Sequence, residues 1–197
     1  MTSTESESLL HTPGHVKHDG HNLTGFIIFL CSESIIFFAF FVGYGVLKIT
    51  APTWYPDGVS GIAVREPLIN TVVLVSSSFV IYFAERYLHK KNYWGFRIVW
   101  LLTMLMGSYF VYGQYVEWSE LTFSLSSGVF GSLFYLLTGF HGLHVITGIL
   151  LMGLMLFRSF IPGNYEKGEM GVESISLFWH FVDVIWIILF VLIYVWQ

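Results

Sequence analysis

The sequence predicts an all-α membrane protein, a bundle of five transmembrane helices. Of its 197 residues, 55% are hydrophobic and only 11% charged, with a mean hydropathy of +0.68. A soluble domain of this size carries about a quarter charged residues. Five apolar stretches are each long enough to cross roughly 30 Å of hydrocarbon at about 20 residues per span. Helices are the open choice, because lipid offers no partner to unpaired backbone groups. A barrel would need many short alternating segments, and these runs are too continuous for that.

The chain divides into a polar tail, residues 1–22, expected to be flexible, and a transmembrane domain, residues 23–197. The tail lacks the basic, apolar and cleavage regions of a signal peptide, so the first spanning helix is expected to direct insertion. It carries four of the eight histidines, His11, His15, His18 and His21. Histidine tracts can bind metals, but exposed imidazoles on a mobile tail are the simpler reading. The five spans are placed at about 23–48, 68–88, 95–118, 128–158 and 175–196. No internal repeat is visible, which disfavours an inverted-repeat transporter. The loop near residues 50–61 is rich in turn formers.

Charge orients the bundle. Lys17, Arg86, Lys90, Lys91, Arg97, Arg158 and Lys167 fall on one side, and only Lys48 and Arg65 on the other. Positive loops stay inside, so the N-terminus is expected to be cytoplasmic and the C-terminus on the opposite side. The acidic segment Glu117 to Glu120 then falls outside. A net charge of -4 gives no reason to expect nucleic acid. The single cysteine, Cys31, excludes an internal disulfide, a CxxC pair and a CxxCH haem attachment.

The spans hold few ionisable groups: Glu33 on the first, His141 and His144 on the fourth, His180 and Asp183 on the fifth. Each is costly in lipid and should face the bundle interior with a partner. His141 and His144 are spaced i, i+3, as are His180 and Asp183, so either pair can share a helix face. At about 1.5 Å per residue, Glu33, His180 and Asp183 fall in neighbouring layers, with His144 about a turn away. Haem or copper would need more ligands on facing helices than these supply, so no metal site is expected on the chain. The imidazoles are read instead as hydrogen-bonding across helices. Glu33 can relay protons or simply bond to a neighbour, and the second role is favoured because further intramembrane relay groups are scarce. Arg158, at the end of the fourth span, can reach a lipid phosphate. Lys90, Lys91 and Arg97 are read as topology determinants.

The stretches Phe140-His141-Gly142-Leu143-His144-Val145-Ile146 and Phe178-Trp179-His180-Phe181-Val182-Asp183-Val184-Ile185-Trp186 resemble subunit III of the haem-copper terminal oxidases. Ser32-Glu33, Pro67 to Thr71, Gly128 to Ser132, and the acidic Glu117 and Glu120 match in the same order, so the resemblance covers roughly residues 23–197. It implies a non-catalytic subunit of a proton-pumping cytochrome c oxidase in aerobic respiration. Such a subunit stabilises catalytic subunit I, supports proton uptake and holds lipid, with haem and copper on partner subunits I and II. Glu33 matches the family's carbodiimide-reactive carboxyl, and Arg158 an arginine that contacts a lipid phosphate. His141, His144, His180 and Asp183 match membrane polar residues of structural role. Many family members have seven helices, and this chain resembles five-helix bacterial forms. Subunit I can supply the missing wall of the lipid cleft. The resemblance places the chain in a bacterial cytoplasmic membrane or another energy-transducing membrane. Ser32-Glu33 resembles the cytochrome c branch; subunit III of a quinol oxidase stays open as the alternative. More distant readings are a nitric oxide reductase subunit and a free-standing transporter or channel.

Overall fold

The computed structural model describes residues 19–56, 58–161, 163, 165 and 170–196. Residues 1–18 of the polar tail, with His11, His15 and His18, lie outside the described residues, as do Glu166, Lys167 and Glu169. The described chain forms α1 (Asp19–Thr50), α2 (Arg65–His89), α3 (Tyr93–Glu120), α4 (Gly128–Arg158) and α5 (Met170–Phe190). A π-helical segment, Val191–Val195, prolongs α5. All five helices are long and apolar enough to cross a membrane. No strand occurs among the described residues. The first helix begins at Asp19, inside the stretch expected to be tail, and the second at Arg65 rather than Leu68.

Local chemistry explains the ends. The α2–α3 connection is only Lys90 to Asn92, and Lys91 takes a left-handed conformation (φ 57°) to reverse the chain. Asn92 Oδ1 then accepts from Gly95 N at 3.0 Å, satisfying one of the free amides that open α3. So short a link makes the two helices antiparallel neighbours. Between α3 and α4, Ser127 Oγ accepts from Ser124 N at 2.8 Å and shapes the turn.

The helices alternate in direction. α2, α3, α4 and α5 close a ring in which each touches the next, and α5 returns to α2. α1 lies outside the ring against α4 and α5. α5 packs against α1, α2 and α4, and its Trp179 and Trp186 rings also reach α3, which accounts for its wide buried face of Val172, Ile175, Trp179, Val182, Trp186 and Leu189. Trp179 fills the centre. Its ring lies so close to Gly107 on α3 and Gly148 on α4 that an added Cβ would approach to 2.5 and 2.9 Å. Only glycine leaves room for that ring on both neighbours. Small residues set helix approach in lipid, where apolarity does not distinguish inside from outside.

Candidate functional site

Polar groups inside the bundle sit in separate cross-helix contacts rather than around one centre. α5 carries two tryptophans whose indole N–H groups reach hydroxyls on α2. Trp179 Nε1 donates to Ser77 Oγ at 2.8 Å, and Trp186 Nε1 to Thr71 Oγ1 at 2.9 Å. Thr71 in turn donates to the Pro67 carbonyl at 2.7 Å. Trp100 of α3 donates to the Met152 carbonyl of α4 at 2.9 Å. A buried indole gains a partner this way while its ring fills the core.

Glu33 of α1 meets His144 of α4, with Oε2 3.2 Å from Nε2. His144 Nδ1 lies 2.8 Å from the Phe140 carbonyl, which can only accept, so Nδ1 carries a proton. A neutral imidazole then presents Nε2 as an acceptor, so the Glu33 contact needs one more proton between the two groups. The rings of Phe37, Phe140 and Phe178 surround the imidazole. His141, three residues earlier, points into the ring of helices. It is fully buried against Phe110 and Trp186, and neither ring nitrogen has a hydrogen-bond partner among the described residues.

His180 and Asp183 of α5 converge on Ser78 of α2. Ser78 Oγ is 3.0 Å from His180 Nδ1 and hydrogen-bonds Asp183 Oδ2. The Ser78 hydroxyl has a single proton, so it can donate to only one of these two groups at a time. The i, i+3 spacing thus does place these two on one face. Glu33 pairs with His144, the histidine expected about a turn from its depth.

Three interactions have no counterpart in the sequence reading. Glu117, counted there as part of an acidic exterior segment, turns its carboxylate inward. It accepts from Tyr194 at 2.8 and 3.0 Å and from Gln114 Nε2 at 2.9 Å. The i, i+3 spacing of Gln114 and Glu117 was the available signal. Arg97 does more than mark topology. Its Nε donates to Ser159 Oγ at 3.1 Å, its second nitrogen bonds the Ser159 carbonyl, and its guanidinium lies 4.2 Å from the Phe160 ring centroid. Lys48 reaches the Trp196 carbonyl and lies 4.6 Å from that indole's centroid, tying α1 to the end of the chain.

Arg158 is exposed in the last turn of α4. Nearby, Tyr165 donates to the Met155 carbonyl at 2.6 Å. Burial pushes the Tyr165 phenol up, against the opposing pull of Arg158 and Arg97. Two cations therefore flank one phenol at this end of the bundle. Among the described residues, no group of three or more His, Cys, Asp or Glu is placed to hold a metal ion.

Residues 4–197 match the family model described as cytochrome c oxidase subunit III. The chain belongs to that family. Curated relatives named cytochrome c oxidase subunit 3 agree. The Synechocystis sp. protein is 40% identical over 189 residues, covering 93% of this chain and 81% of its own length. That of Thermostichus vulcanus is 41% identical, covering 91% and 89%. The rabbit protein, from Oryctolagus cuniculus, is 38% identical, covering 87% of this chain and 68% of its own length. In this subunit III family member, every intramembrane group named from the sequence lies in the bundle as described above. Family and spans together make the chain a multi-pass integral membrane protein of a terminal oxidase family.

Proposed function

We propose that the chain is the non-catalytic subunit III of a proton-pumping cytochrome c oxidase in aerobic respiratory electron transport. It braces catalytic subunit I, supports proton uptake and binds phospholipid, while haem and copper reside on subunits I and II. Cytochrome c donates electrons to the complex, not to this chain. The N-terminus is cytoplasmic, and the membrane is a bacterial cytoplasmic membrane or another energy-transducing one. The observation that carries the reading is the match over residues 4–197 to the subunit III family. The geometry supports the accessory role. Glu33–His144, Ser78–His180–Asp183 and Glu117–Tyr194 each join two helices, so these polar groups are engaged in holding the bundle. A stiff bundle is what a bracing subunit requires.

Purification in mild detergent through a tag on this chain tests the proposal. Mass spectrometry and an optical spectrum would report what co-purifies. The expected result is a haem-bearing, copper-containing polytopic partner together with a companion subunit that bears a dinuclear copper motif. A colourless, partner-free chain under several gentle conditions would overturn the reading.

A further inference from the structure

A hollow of about 390 Å³ lies where the loop between α1 and α2 meets the start of α4, at the opposite end of the bundle from Arg158. Thr53, Trp54 and Tyr55 line one side, and Ser127, Gly128 and Val129 the other. Two of its polar groups lack partners. Trp54 Nε1 and the Tyr55 hydroxyl are both shut off from solvent, and neither makes a hydrogen bond. The Tyr44 hydroxyl is in the same state, on a side chain that is 0% exposed. Ring contacts tie the three to one another and to α4. Tyr44 meets Trp54 with centroids 5.1 Å apart, Trp54 meets Phe130 at 5.5 Å, and Tyr55 meets Phe130 at 4.9 Å. The two phenols are close enough to interact electrostatically. Burial pushes the Tyr55 phenol up, so it keeps its proton and stays a donor. Buried donors left unpaired cost free energy, so three in one place call for an acceptor.

The end of α4 adds further donors. No side chain caps its first amides, and the Ser127 hydroxyl is engaged with Ser124 N. An uncapped helix start presents free N–H groups and about half a positive charge. Lys48 strengthens that field. Its ammonium lies 5.5 Å from the Trp54 ring centroid and bonds the neutral Trp196 carbonyl.

The chemistry of the ligand follows from this donor set. Indole and backbone N–H groups donate and cannot accept. A water could accept from them, but it brings two hydrogens that need acceptors in turn. An anion only accepts. Neutral donors and a helix end suit a single negative charge. A doubly charged anion would call for cations in contact, and no lysine or arginine is among the described residues that line the hollow.

We infer that this hollow binds a small monovalent anion, such as chloride or formate, through Trp54, Tyr55 and the first amides of α4. The inference does not rest on the oxidase assignment.

The test is hydrogen–deuterium exchange read by mass spectrometry on the tagged full-length chain, purified with whatever subunits accompany it. Chloride is compared with a bulky sulfonate at equal ionic strength. The expected result is exchange at least threefold slower in chloride, saturably, for peptides spanning the α1–α2 loop and the start of α4. Formate should act as chloride does. Tyr55→Phe and, separately, Trp54→Phe keep a ring in place and remove only the donor. Each should abolish most of the chloride effect, with exchange in the sulfonate buffer unchanged as the control for folding. No chloride effect would overturn the inference, as would an effect equal in both variants and the parent. Slowing of all loops alike would overturn it too, as general salt. Protection already present in the sulfonate buffer, and lost only when phospholipid is stripped, would assign the hollow to a headgroup and equally refute the proposal.

Discussion

At the scale of the residue, the Glu33–His144 pair shows how much one proton decides. The Phe140 carbonyl occupies Nδ1, so Nε2 can bond Glu33 only if a further proton lies between them. Glutamine at position 33 brings its own N–H, which can donate to Nε2 without that proton. Glu33→Gln is therefore expected to leave the complex assembled and its pumping little changed, read by subunit content and by protons released per electron. Complete loss of oxygen reduction with subunits and metals retained would show that the carboxyl acts chemically. Glu33→Leu strands Nε2 and should cost about 1–3 kcal/mol, the penalty of a buried polar group left unpaired. Arg158 belongs to this scale as well. It is exposed at the end of α4, where a guanidinium can take a phosphate by two parallel bonds. Arg158→Ala is expected to lower the phospholipid retained per purified complex, and unchanged lipid content would refute the contact.

At the scale of the element, α5 is the helix on which the others depend. It meets all four other helices, and its Trp179 ring occupies the space left by Gly107 on α3 and Gly148 on α4. Trp179→Ala empties that space and removes the bond to Ser77, so a loss of about 3–5 kcal/mol is expected. The single hydrogen bonds matter less. Thr71→Val strands the buried Trp186 indole N–H and should cost about 1–3 kcal/mol, the penalty of an unpaired buried donor. Thermal denaturation in detergent would read both. A Thr71 effect as large as that of Trp179 would contradict the view that packing dominates.

At the scale of the whole molecule, alternating helices put Lys90 and Ser126 at opposite ends of the bundle. The excess of Lys and Arg at the Lys90 end predicts that this end is cytoplasmic. In a Cys31→Ser background, an impermeant thiol reagent applied to intact cells should label Ser126→Cys and spare Lys90→Cys. The reverse pattern would invert the proposed topology. Five helices were legible because spanning hydrocarbon demands long apolar runs, whatever the packing. The polar residues His144, His180 and Asp183 were legible because charge inside such runs is rare.

Which partner each one takes was not legible. The sequence by itself determined the spans, the sparse set of intramembrane polar groups and the family motifs around His141 and His180. Only the tertiary structure decided that Glu33 meets His144, that Ser78 joins His180 to Asp183, and that Glu117 turns inward to Tyr194. The physical reason is that lipid makes every face of a helix apolar. Apolarity then marks a span but not its orientation about its own axis. That rotation is set by shape, by a glycine facing an indole or an asparagine, and these contacts join residues far apart in the chain.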